Sequence, residues 1–175
     1  MMRRDNVILV GFMGAGKSAV GRLLARRLGR CFVETDEMIT ATEGRSIPEI
    51  FAVEGEAYFR EREAEVLDLL RLKRGEVIAT GGGLPCHPGR IEALKALGTV
   101  IWLAGDFDTL HQRAQRAGFR PVLDGRSRAE VESVYQRRVP YYRQAHVTVE
   151  IGTLGVDEVV NRILAVLRAR QRVSP

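Results

Sequence analysis

The sequence predicts an α/β fold in which a parallel five-stranded sheet is flanked by helices. Three observations carry this. Short, continuously apolar, β-rich runs recur along the chain, as strands covered on both faces require. Amphipathic helical periods separate them, so that right-handed strand–helix–strand units build one open sheet. A glycine-rich loop joins the first such run to the first helical period.

The strands are placed at "NVILVG" (6–11), "CFVET" (31–35), "EVIATG" (76–81), "TVIWLA" (99–104) and "HVTVEI" (146–151). In the first helix Val20, Leu23, Leu24 and Leu28 share a face; a central helix does the same with Phe59, Val66, Leu67 and Leu70. Val156, Val159, Val160, Ile163 and Leu167 make the apolar stripe of a C-terminal helix. Ser46, with Glu49 three residues on and Pro48 in the first turn, reads as a capping box opening a further short helix. The stretch "AGFRPVLDGRSRAE" (117–130) is polar and arginine-rich with little core potential, and its arginines favour a lid over a disordered loop. No repeat or linker divides the 175 residues, so one domain over 1–175 is expected.

Composition excludes several function classes. No apolar run approaches the roughly 20 residues that cross a bilayer, and "MMRRDNVILVG" turns into strand and glycine loop instead of a secretory segment. A cytoplasmic protein without a membrane partner is expected. Cys31 and Cys86 stand far apart, and with three histidines the chain offers no zinc or disulfide framework. Lys and Arg number 27 against 22 Asp and Glu, a net charge of +5. Solvated helix faces in an arginine-favouring composition, or an anionic ligand, both account for that excess. No basic stretch interleaved with aromatics appears, so nucleic acid is the weaker partner.

The segment "GFMGAGKS" (11–18) fits G-x-x-x-x-G-K-[ST] between a strand and a helix, the setting that gives this pattern its meaning. Gly11, Gly14 and Gly16 let the chain curl so that successive N–H groups face one centre, to which the next helix adds its positive end. Lys17 is placed to reach the β- and γ-phosphates of a nucleoside triphosphate and the Ser18 hydroxyl to ligate Mg²⁺. "ETDEMI" (34–39) sets Glu34 and Asp36 at the end of the second strand, where such sheets bind ligands. These acids are either helix caps or a pair in which one holds hydrated Mg²⁺ and the other accepts a hydroxyl proton. Arg60 and Glu63 fall on neighbouring positions of one helix face, an arrangement equally typical of an exposed ion pair. Arg138 lies just before Pro140, which ends or kinks its helix. Three glycines in a row, Gly81, Gly82 and Gly83, follow the third strand in "ATGGGLP"; two would serve a tight turn, and a third favours close approach of a ligand to the main chain.

Taken together, "VGFMGAGKS…GRLLA", "ETD", "GRSIPEIF…EGEAYFREREAE", "ATGGGLP", "RPVL" and "RRVPYY" occur in an order and spacing that resemble the shikimate kinase family, from about Val7 to Ala145. The resemblance implies a P-loop kinase with substrate-binding helices at about 34–63 and a mobile lid at about 113–126. It implies phosphorylation of the shikimate 3-hydroxyl by ATP, giving shikimate 3-phosphate and ADP on the way to chorismate and the aromatic amino acids. By the same resemblance Arg60 and Arg138 grip the shikimate carboxylate, Glu63 orients Arg60, and Asp36 contacts the hydroxyls and is the candidate base. Gly81, Gly82 and Gly83 line the substrate, with any Cβ there filling the space of substrate or γ-phosphate. Arg120 of "RPVL" swings onto the transferring phosphates and Arg113 stacks on adenine. Gly14, Ala15, Gly16, Lys17, Ser18 and Ala19 hold the nucleotide, and Glu34 meets Mg²⁺ through water. A monomer with shikimate and ATP as its partners is expected.

Three positions depart from the family pattern. Glu34 stands where an aspartate is usual, Ala19 where a threonine is usual, and the loop 150–158 lacks a basic residue. The competing readings are a related small-molecule kinase and a nucleotide-binding protein without turnover.

Overall fold

A computed structural model describes residues 5–116 and 125–173. The chain runs β1 (Asn6–Val10), α1 (Lys17–Leu28), β2 (Phe32–Glu34), α2 (Thr35–Glu43), α3 (Ile47–Leu70), β3 (Val77–Ala79) and α4 (Arg90–Leu97). It continues with β4 (Gly98–Ala104), α5 (Phe107–Arg116), α6 (Arg128–Tyr142), β5 (Val147–Glu150) and α7 (Val156–Val173). The five strands lie within two residues of their predicted bounds.

They form one sheet of order β2-β3-β1-β4-β5 in which every pairing is parallel. β1 is central because all five of its residues are buried, as a strand with helices on both faces demands. From β1 the chain winds outward to β2 and β3, then returns past β1 to β4 and β5. The winding reverses beside β1, and the carboxyl ends of the strands there are where open sheets bind ligands. Asn6 is the polar residue of β1, and it is fully buried. Its amide donates to the carbonyls of Lys73 and Leu97 at 3.0 and 3.1 Å and accepts from the Glu76 N–H at 3.0 Å, tying the approaches to β3 and β4 to β1.

The helices follow the periodicity. Val20 and Leu24 of α1 are buried and Leu23 and Leu28 pack beside them; Val159, Val160 and Ile163 do the same for α7. Ser46 and Glu49 form the predicted capping box, with each side chain satisfying the other's backbone N–H. The short helix it opens and the central helix abut: both lie within α3, broken at Gly55 (φ 82°, ψ 177°), a conformation that side chains rarely adopt. A second capping box, Ser127 with Glu130, opens α6 inside the stretch read from sequence as a lid. Pro140 does not end α6 at once; the helix continues to Tyr142, since a proline in the last turn forfeits little. Of the expected lid (113–126), residues 113–116 belong to α5, and residues 117–124, Arg120 among them, lie outside the described residues.

Candidate active site

The loop from β1 to α1 turns beneath the carboxyl edge of the sheet. Gly16 precedes α1 at φ 79°, ψ 23°, a left-handed conformation that a Cβ would strain, and it leaves the first turn of α1 facing open space. Lys17, the first helical residue, folds back so that its Nζ donates to the carbonyls of Gly11 at 2.8 Å and Phe12 at 3.1 Å. Burial pulls its ammonium down to about 8, with the charge of Asp36 opposing. Ala15 is turned into the core and its N–H donates to the Phe12 carbonyl at 3.3 Å, so it does not reach the cleft.

β2 ends at Glu34, and Thr35 and Asp36 are already in the first turn of α2. The Ser18 hydroxyl donates a short hydrogen bond to Glu34, whose second oxygen is 3.4 Å from Arg22. Thr35, fully buried, accepts from the N–H of Gly81 at 2.8 Å and so registers α2 against the glycine turn. Asp36 faces inward with Oδ1 buried and without a hydrogen-bond partner among the described residues. Burial pushes its carboxyl up to about 6, the negative charge of Glu63 adds to this, and Lys17 opposes it.

The glycine turn answers to side chains. None of Gly81, Gly82 and Gly83 has a positive φ, so what they provide is space. A Cβ at Gly81 would collide with Asp36 Oδ1; at Gly82 it would lie 3.2 Å from Arg138 Nη1, and at Gly83 2.5 Å from Arg60 Nη1. The sequence reading assigned this space to substrate and γ-phosphate. In the structure the side chains of Asp36, Arg138 and Arg60 lie against it, because α2, α3 and α6 all close on this turn. The Tyr142 hydroxyl completes the support, donating to the Gly82 carbonyl at 2.7 Å.

This packing yields a mutational expectation. Gly81→Ala displaces Asp36, and if Asp36 is the base expected from the sequence, a displacement of about 1 Å costs on the order of 10²-fold in rate. Gly83→Ala meets the end of the Arg60 side chain and leaves Asp36 in place, so its effect on the rate is milder. Steady-state rates of the two variants, alongside their melting temperatures, check the order; equal rates would refute it.

A cleft of about 470 Å³ gathers these groups. Of the residues singled out from sequence, Gly14, Gly16, Lys17, Ser18, Ala19, Glu34, Asp36, Arg60, Glu63, Gly81, Gly82, Gly83, Arg113 and Arg138 line it. Ala15 does not, and Arg120 is outside the described residues. Arg60 Nη1 lies 2.9 Å from Glu63, which is 1% exposed, and Nη2 lies 2.8 Å from the exposed Glu56. Arg138 sits 5.8 Å above the Phe12 ring and makes no ion pair among the described residues. Arg113 donates to the carbonyls of Gly152 (2.7 Å) and Leu154 (3.3 Å), so the loop that lacks a base of its own holds one.

Sequence reasoning did not find Thr35, Tyr142, Arg22 or Arg90. Tyr142 lay inside a quoted motif and Thr35 between two acids already noted. Nothing in "HPGRIEAL" marks Arg90, whose side chain reaches across to α3.

A phosphate cradle at the switch point of an open parallel sheet, with an acid and two arginines across from it, belongs to a P-loop kinase of a small anionic acceptor. The family model described as shikimate kinase matches residues 13–168. A shikimate kinase of Symbiobacterium thermophilum is 44% identical over 94% of this chain and 97% of its own. One of Thiobacillus denitrificans is 46% identical over 89% and 86%. The structure of shikimate kinase from Acinetobacter baumannii in complex with shikimate superposes with a TM-score of 0.89 at 38% identity, covering 95% of this chain and 94% of the other. The chain belongs to the shikimate kinase family.

Proposed function

We propose that the protein transfers the γ-phosphoryl group of ATP to the 3-hydroxyl of shikimate through the residues of this cleft, releasing shikimate 3-phosphate and ADP. The observation that carries the residue assignment is the convergence of Arg60 and Arg138 on adjacent glycines of one turn, with Asp36 on the third. Two planar guanidinium forks suit a carboxylate better than point charges would. Arg138, free of acidic partners among the described residues, and Arg60, whose outer partner Glu56 is exposed and replaceable, form the grip.

At the other end the N-terminus of α1 and Lys17 receive the phosphates. Leaving the Gly11 and Phe12 carbonyls for the γ-phosphate gives the Lys17 ammonium a charged partner. Arg113 lines the nucleotide side. Asp36, ionised near neutral pH, takes the 3-hydroxyl proton as the new P–O bond forms and the bond to the ADP oxygen breaks. Ser18 and Glu34 touch on the cleft wall and are the hard oxygen donors that would hold Mg²⁺, which would supply positive charge against the phosphates there. The longer reach of Glu34 is accommodated by its contact with Ser18. All these groups come from one chain, so a monomer suffices, and no helix of the described residues is long and apolar enough to cross a membrane.

A coupled ADP-release assay over shikimate, gluconate and nucleoside monophosphates tests the reading; turnover with shikimate is expected, and ATP binding without shikimate-dependent product would overturn it. Arg138→Lys is expected to raise the shikimate KM about tenfold or more, since a charge-assisted hydrogen bond contributes about 1.5–3 kcal/mol, with little change in kcat. An unchanged KM would remove Arg138 from the grip.

A further inference from the structure

We propose that Arg90 is a positioning residue for the acceptor: it holds Glu63 and the main chain of Arg60 so that the Arg60 guanidinium stays turned to the cleft. The inference rests on the assignment of Arg60 to the acceptor carboxylate. Arg90 opens α4, seven residues beyond Gly83, and its side chain is 15% exposed. Its Nη1 lies 3.2 Å from Glu63 Oε2, the same oxygen that accepts from Arg60 Nη1 at 2.9 Å. Its Nη2 donates to the Arg60 carbonyl at 2.9 Å. One fork thus grips both the carboxylate that orients Arg60 and the backbone that carries it.

The electrostatics explain why a second cation is needed. A carboxylate as buried as Glu63 is stable only if well paired. With Arg60 as its sole partner, it would hold that guanidinium against any incoming anion. Arg90 shares the charge of Glu63 and leaves Arg60 able to exchange Glu56 for a substrate carboxylate. It also ties the element after the glycine turn to α3, fixing two walls of the acceptor end at once. Lysine offers no rigid fork for a carboxylate and a carbonyl together.

A residue that merely staples α4 to α3 would lower stability and affect both substrates alike, which separates the two roles. Steady-state kinetics with shikimate and Mg-ATP are measured for Arg90→Gln, Arg90→Lys, Glu63→Gln and the Glu63→Gln/Arg90→Gln pair. Arg90→Gln is expected to raise the shikimate KM about tenfold, within the range of contacting networks, leaving the ATP KM and kcat nearly unchanged, and Arg90→Lys to recover part of the loss. The double variant is expected to bind shikimate no worse than Glu63→Gln. An unchanged shikimate KM, equal rises for both substrates, or additive effects in the double variant would overturn the proposal. Should Arg90→Gln not fold, Arg90→Lys and the comparison made within Glu63→Gln decide it. If Arg138→Lys raises the shikimate KM while Arg90→Gln does not, this inference fails alone; if neither does, the assignment of the grip fails first.

Discussion

Asp36→Asn is expected to lower kcat by about 10²–10⁴-fold, the usual contribution of a positioned general base, while making the protein more stable at neutral pH. Both effects have one cause. Asp36 sits where ionisation is disfavoured: its Oδ1 is buried without a partner, Glu63 is a like charge nearby, and its carboxyl is pushed up to about 6. A group that titrates higher in the folded than in the unfolded chain holds its proton more tightly when folded. Its favourable contribution is complete below about pH 4 and is lost as the pH rises to about 6. Above that, the ionised carboxylate costs stability, by up to roughly 3 kcal/mol for a shift of about two units. Lys17 loses an opposing charge in the variant and takes back part of the gain, so about 1–2 kcal/mol is expected. Urea unfolding at pH 7 and pH 4 checks this: the variant's advantage is present at the first and shrinks at the second. Wild-type kcat/KM is expected to fall below about pH 6, and the residual activity of Asp36→Asn to lack that limb. A variant that keeps its rate, or is less stable at pH 7, would remove Asp36 from its role.

Arg120→Ala is expected to lower kcat by roughly 10³-fold or more, the effect of losing an arginine finger, with modest change in the shikimate KM. The described cations leave that position open. Arg60 and Arg138 are the residues proposed for the acceptor carboxylate, Arg113 is held by the carbonyls of the 152–154 loop, and Lys17 lies on the P-loop side. Charge spreading over the equatorial oxygens of the transferring group calls for a donor from the remaining side. The segment 117–124 leaves α5 just past Arg113 and Ala114, both of which line the cleft. Arg128 at the start of α6 pairs with Asp108 near the start of α5, so the two helices that carry the segment are tied together. Single-turnover rates separate chemistry from product release, and a loss of under tenfold would defeat the assignment.

Much of the site was legible because its chemistry is local. The P-loop works through consecutive backbone N–H groups, so its function is written in consecutive residues. The capping box of Ser46 and Glu49 is equally local, and the strands declare themselves by apolar runs that only a doubly covered sheet can bury. The family resemblance supplied what spacing could not, that Arg60 and Arg138 belong to one pocket although 78 positions separate them. The glycine triplet was recognised as a place of close approach, and in the folded chain Asp36, Arg138 and Arg60 lie against it. A triplet of glycines shows that space is needed and says nothing about who fills it.

Arg90 and the two displaced titrations lie beyond any reading along the chain. Periodicity, turn geometry and backbone donors act over a few neighbouring residues, so the sheet, the phosphate cradle and the residue types of the cleft can be read along the chain. The sharing of Glu63 by two arginines, the shift of Lys17 down to about 8 and of Asp36 up to about 6, and the packing of three side chains on three glycines arise from the folded chain alone. Burial and charge–charge interaction sum over groups brought together from α2, α3, α4 and α6, and that sum exists only once the chain has folded.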